Sequence, residues 1–194
     1  MGFFSRTTPS QDDPRWLAEP AAPDTPAPSE AHDGTALQTA TFGAGCFWGV
    51  EIEFGNMPGV RRTAVGYLGG KLAEPTYEEV CTGRTGHAEV VQVDFDPSEV
   101  SYDQLVEKFF ALHDPTQMNR QGPDVGTQYR SAIFFHDAEQ ERVATEVRDR
   151  LQARFSRPIV TEITPASAFY RAEDYHQRYL EKRGLASCAV PATG

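Results

Sequence analysis

Phe42-Gly43-Ala44-Gly45-Cys46-Phe47-Trp48-Gly49 is the stretch whose reading decides the fold. Residues 37–42 read as a short strand running into it, and a helix opens at Cys46, with Val50 and Phe54 following at i+4 and i+8. Gly43 and Gly45 permit the positive φ that a tight strand-to-helix turn needs. A thiol at a helix N-terminus faces unpaired N–H groups and the positive end of the helix dipole, both of which favour thiolate over thiol. Spacing alone leaves two readings of Cys46 open: an activated nucleophile, or a small hydrophobe packed in the core.

Outward from this turn, strand and helix signals alternate. Downstream lie a strand over 60–67, a short helix capped by Thr76, and a strand over 88–95. In the last, Val91, Val93 and Phe95 share one face and Val90, Gln92 and Asp94 the other. Ser101 and Gln104 form a capping box for a helix through Leu112. An irregular stretch over 114–126 carries Pro115, Gly122, Pro123 and Gly126, and connections of that length in a small domain tend to carry function. A strand over 129–135, a helix opened by Asp137, a strand over 159–163 and a helix over 174–183 ending at Gly184 complete the series. The pattern predicts an α+β fold, a sheet with helices packed on it.

Residues 1–34, rich in Pro, Ala, Ser and Asp, read as a flexible arm with Trp16 and Leu17 as candidate anchors; residues 35–194 read as one catalytic domain whose tail is mobile from about 184. A chain of 194 residues suits one domain. A net charge of −10 argues against nucleic acid and anionic membrane as partners. Neither a secretory leader nor an apolar membrane span is evident, and three cysteines, Cys46, Cys81 and Cys188, do not make a secreted disulfide framework. A cytoplasmic monomer is expected.

Glu89 shares the face of Val91, Val93 and Phe95. A carboxylate buried there is driven toward its neutral form, which suits a general acid; at a frayed strand end it would reach water instead. His87 is open to two readings, a base for Cys46 or a packing residue in a glycine loop. Tyr77 and Tyr129 read equally as rim aromatics, and Asp124 as a cap for the Val125 and Gly126 amides or as a group facing a ligand. Cys81 is expected to pack beside Val80. Cys188, in the tail, can swing to a second thiol as a core cysteine cannot. The five histidines are scattered, and no Cys or His pair has zinc-ligand spacing.

Gly45-Cys46-Phe47-Trp48-Gly49, Gly86-His87-Ala88-Glu89, Gly122-Pro123-Asp124-Val125-Gly126-Thr127-Gln128-Tyr129-Arg130-Ser131 and a C-terminal cysteine, in this order, resemble the A-type peptide-methionine sulfoxide reductases from about residue 36 to 188. The resemblance implies a two-layer α/β sandwich with a ferredoxin-like core and a long C-terminal coil. It implies that Cys46 attacks the S epimer of free or protein-bound methionine sulfoxide, that Glu89 protonates the sulfoxide oxygen and that Tyr77 and Tyr129 hold it. Asp124 matches a supporting buried carboxylate, and Phe47 and Trp48 an apolar wall around the S-methyl group. Cys188 would resolve the Cys46 sulfenic acid as a disulfide. No bound cofactor is implied, only an external dithiol reductant such as thioredoxin. Many relatives carry two tail cysteines where this chain has only Cys188, so a relay through the tail is not available. A cysteine hydrolase using Cys46 and His87, or a redox sensor that does not turn over, are the rival readings.

Overall fold

A computed structural model describes residues 10, 13–16 and 36–185. Strand β1 (Gln38–Ala44) turns at Gly45 into helix α1 (Phe47–Gly55), and the chain returns as β2 (Val60–Leu68). Helix α2 (Tyr77–Cys81) precedes β3 (Ala88–Phe95), and α3 (Tyr102–Leu112) follows it. The next connection holds the two-residue strands β4 (Arg120–Gln121) and β5 (Asp124–Val125), paired as a hairpin, and a 3-10 turn over Thr127–Tyr129. Then come β6 (Ser131–Phe135), α4 (Ala138–Leu151), β7 (Glu162–Pro165), β8 (Tyr170–Arg171) and α5 (Tyr179–Lys182).

The main sheet has the order β7-β6-β1-β3-β2-β8, with β6 and β7 parallel and the other pairs antiparallel. Its inner four strands, β6-β1-β3-β2, are threaded as the split βαβ arrangement of ferredoxin-like folds. Alternation along the strands assigns the faces. Phe42 of β1 stacks on Phe54 of α1, with ring centroids 4.9 Å apart, and on Phe109 of α3 at 5.4 Å. Val91, Val93 and Phe95 of β3 join the same core. The opposite face carries Leu68, Ala88, Val90, Ala132 and Phe134, covered by Ala166 and Phe169 from a coil rather than by a helix.

Helix starts follow their caps. Thr76 and Glu79 close a capping box on α2, Ser101 and Gln104 one on α3, and the Asp137 carboxylate accepts the Gln140 N–H at 2.8 Å.

Several elements depart from the sequence expectation. β1 continues two residues further, because Gly43 and Ala44 still pair with Ala132 and Ser131 of β6, and α1 starts at Phe47 with Cys46 as its N-cap. Tyr129 lies in the 3-10 turn and not in the strand, its N–H donating to Gly126 O at 3.0 Å. The strand expected over 159–163 is displaced to Glu162–Pro165, since the Ile159 and Val160 N–H groups are taken by Gln152 Oε1 and Pro115 O. The helix expected over 174–183 is reduced to α5. The side chains of Glu173, His176 and Gln177 bond to other elements, and Arg178 has φ +52°, which ends any continuous helix.

At the arm, Leu17 lies outside the described residues, Trp16 is half-buried, and Arg15 makes the bonds to the domain. Its guanidinium reaches Glu79 at 2.7 and 3.1 Å and Asp13 at 2.7 Å, and its carbonyl accepts the Ala73 N–H. Cys188 and the tail beyond residue 185 are likewise outside the described residues.

Candidate active site

Cys46 is half-buried at the head of α1, directly after Gly45 in the left-handed region at φ +90°. A Cβ on Gly45 would stand 2.8 Å from Gln121 Cβ, so the absence of a side chain lets the 114–126 connection close against the turn. A Cβ on Gly43 would stand 3.2 Å from the Glu89 carbonyl, so β3 also passes close to the chain here.

The register carries Glu89 to this turn. Phe42 pairs with Val91, and following both strands toward Gly45 brings Glu89 to the start of α1. There its Oε2 accepts the Phe47 N–H at 3.2 Å. Glu89 is 2% exposed, so the solvent-reaching alternative does not hold. Burial pushes its carboxyl up to about 8; the Phe47 N–H opposes the shift and the Asp124 charge adds to it. At neutral pH the group is predominantly a carboxylic acid.

Tyr77 and Tyr129 are both half-buried. Tyr77 is the first residue of α2, and its backbone N–H donates to Glu173 Oε1 at 3.0 Å. Its phenol is held protonated by burial first, then by a side-chain hydrogen bond with Cys81 one turn on, with the charges of Glu89 and Tyr129 adding to these. The Tyr129 phenol is raised by burial and then by Glu89, Cys81, Asp124 and Cys46. Cys46, Glu89 and Asp124 thus lie within electrostatic reach of Tyr129, and Glu89 and Tyr129 within reach of Tyr77. Both tyrosines are therefore neutral hydroxyl donors throughout the ordinary pH range.

Asp124 is half-buried on β5 and so is not the fully buried carboxylate expected. It makes no hydrogen bond to the amides of Val125 or Gly126; the Gly126 N–H donates to Asn119 O instead. Phe47 is buried with its ring 6.1 Å from Tyr67 and 5.1 Å from His176. Trp48 is half-buried and lies flat on Tyr179, centroids 3.9 Å apart and planes 12° from parallel.

One reading is corrected and another is decided. Cys81 is exposed and bonds to Tyr77 rather than packing beside Val80. His87 is buried with both ring nitrogens engaged, Nδ1 accepting the Gly70 N–H at 3.1 Å and Nε2 against Leu72 O at 2.8 Å. That geometry assigns His87 to the packing reading and removes it as a base for Cys46.

Sequence reasoning missed Glu173 and His176. Glu173 accepts the Tyr67 hydroxyl at 2.9 Å as well as the Tyr77 N–H, and His176 sits among Phe47, Trp48, Tyr77 and Tyr175. The available signal was the conflict within 174–178, where mostly polar residues with no amphipathic face read as helix.

Comparison with known proteins follows the same lines. The family model for peptide methionine sulfoxide reductase matches residues 38–193. A peptide methionine sulfoxide reductase from Acidobacterium capsulatum is 65% identical over 156 residues, covering 79% of this chain and 100% of that protein. Among solved structures, methionine sulfoxide reductase A of Corynebacterium diphtheriae superposes with a TM-score of 0.75 at 43% identity, over 89% of this chain and 90% of that one. Reduced Mxr1 from Saccharomyces cerevisiae superposes with a TM-score of 0.77 at 34% identity, over 85% and 96% respectively.

Proposed function

The chain belongs to the peptide methionine sulfoxide reductase family, and on that premise we propose that Cys46 and Glu89 carry out the reduction as nucleophile and acid. Methionine sulfoxide reduction by a thiol-dependent oxidoreductase is the family's activity. The finer reading concerns how these residues perform it, on the S epimer of free or protein-bound substrate.

Sulfoxide sulfur is a weak electrophile until its oxygen is protonated. The Cys46 thiolate attacks sulfur while Glu89 delivers its proton to oxygen, and Tyr77 and Tyr129 donate hydrogen bonds to that oxygen as charge shifts onto it. The S–O bond and the transient bond between Cys46 and the substrate sulfur both break as the hydroxyl passes to Cys46. Methionine leaves as the thioether and Cys46 becomes a sulfenic acid. Phe47 and Trp48 wall the S-methyl group, and Asp124 supports the protonated form of Glu89. The Cys188 thiol then condenses with the sulfenic acid, forming a disulfide and releasing water. An external dithiol returns both cysteines to thiols by exchange and leaves as its own disulfide. Mxr1 has also been solved in complex with Trx2, which makes a thioredoxin the first reductant to try. A monomer working in the reducing cytoplasm, with no bound cofactor, fits this cycle.

The observation that carries the reading is the buried, neutral Glu89 bonded to the amide next to Cys46. A Cys–His hydrolase lacks support because His87 is bonded elsewhere. The experiment is a single turnover of Cys188→Ser with excess substrate and no reductant. One equivalent of methionine and a trappable Cys46 sulfenic acid are expected; no methionine would refute the assignment.

A further inference from the structure

His176 is buried, 1% exposed, at the centre of four aromatic side chains, yet nothing in the proposed chemistry uses it. Its Nδ1 accepts the Trp48 indole N–H at 3.0 Å. Indole is a donor only, so Nδ1 is the bare nitrogen and Nε2 carries the proton. Nε2 faces Glu173 Oε2 at 3.8 Å.

Trp48 is otherwise held by its stack on Tyr179. A stacked contact fixes the plane of the indole but resists sliding and in-plane rotation only weakly, whereas a hydrogen bond to Nε1 is directional. The two together leave the ring one orientation. The histidine is itself immobilised. In its turn, Glu173 bonds to the Tyr67 hydroxyl and the Tyr77 amide, and Gln177 bridges Val65 N, Val65 O and Ala172 O. Directly after it, Arg178 takes φ +52° so that its N–H can reach the buried Glu51 carboxylate at 2.7 Å. Non-glycine residues hold that conformation at a cost, so the segment is fixed by its bonds rather than by local preference.

We propose that His176 is a positioning residue for substrate recognition, acting through Trp48 by pinning the indole edge that walls the substrate methyl group. The inference rests on the reading of Trp48 as that wall. Burial lowers the His176 pKa, with Glu173 and Glu78 opposing, which keeps the ring in the neutral form this bond requires. His176 also ties α1 to the 173–178 turn, and that turn holds α2 through the Tyr77 amide, so the wall and the oxygen-binding hydroxyl share one support.

The test is a double-mutant cycle on the full chain, measuring KM and kcat for methionine sulfoxide with dithiothreitol. His176→Leu removes the acceptor, His176→Asn keeps an acceptor near the Nδ1 position, and Trp48→Phe removes the donor. His176→Leu should raise KM roughly three- to tenfold, the worth of one hydrogen bond, with kcat little changed. His176→Asn should restore most of the loss, and Leu added to Trp48→Phe should cost nothing further. In a Trp16→Phe background, acrylamide quenching of Trp48 fluorescence should increase in His176→Leu and not in His176→Asn; this reading needs no activity. Asn as poor as Leu, or full additivity with Trp48→Phe, would overturn the proposal. Should His176→Leu not fold, the Asn variant and Trp48→Phe decide it, since the first must stay near wild type and the second must raise KM. Absence of reductase activity in the wild type would refute the function reading, whereas the quenching result would still judge the pin.

Discussion

The Glu89 carboxyl group accepts the backbone N–H of Phe47 at 3.2 Å, and Phe47 is the residue that follows Cys46. One hydrogen bond thus joins the acid on β3 to the first turn of the helix headed by the thiol. An acid and a nucleophile from distant parts of the chain are held on the two sides of a single peptide unit. The arrangement works only while Glu89 stays dry, because burial is what keeps its proton on at neutral pH.

The first consequence is a pH limb. With the carboxyl pushed up to about 8, the rate of sulfoxide reduction should hold below that pH and fall roughly tenfold per unit above it, as the acid ionises. Glu89→Gln should lose about 10²–10³ of the rate and the limb with it. Single-turnover rates across pH 6–10 check both. A variant with wild-type rate would remove Glu89 from the chemistry.

The same shift predicts a stability effect of the same sign, over a lower pH window. Glu89 binds its proton more tightly folded than unfolded, so its contribution is greatest below the ordinary Glu range and is lost as pH rises from there toward about 8. Each unit in that window costs up to about 1.4 kcal/mol. Glu89→Gln, which has nothing to ionise, should therefore gain on the wild type as pH rises. Denaturant midpoints at pH 5 and pH 8.5 measure the change.

Gly45→Ala should weaken both fold and site. It places a Cβ 2.8 Å from Gln121 and a side chain at φ +90°, a conformation costing about 1–3 kcal/mol. Relief would move the turn that carries Cys46. A lower Tm together with a loss of kcat larger than the fraction unfolded is the expected result.

Tyr77→Phe and Tyr129→Phe each remove one neutral hydroxyl from the site and should each cost roughly 10²-fold in rate, with KM little affected. Should only one of them matter, the oxygen is held by that hydroxyl alone. Steady-state kinetics on the two variants and their double separates these outcomes.

What was legible in the sequence was what local chemistry dictates. The capping boxes at Thr76 and Ser101 and the period-two alternation around Glu89 depend on residues within a few positions of each other, and they formed as read. The Gly45-Cys46 turn was legible because glycines mark sharp reversals. What failed depended on partners far along the chain. Tyr129 left its strand for a turn closed by Gly126, and the 159–163 strand shifted because Pro115 and Gln152 captured its amides. The 174–178 segment, read as helix, and Glu173 before it are shaped instead by Tyr67, Tyr77, Trp48 and Glu51 from three other elements. No local pattern encodes those contacts, and for that reason His176 escaped notice.

The most direct measurement is consumption of the separate S and R epimers of methionine sulfoxide, with dithiothreitol as reductant, by the wild type and by Cys46→Ser. Consumption of the S epimer alone, abolished in Cys46→Ser, is the predicted result. Turnover that survives in Cys46→Ser, or no turnover of the S epimer by the wild type, would contradict the account.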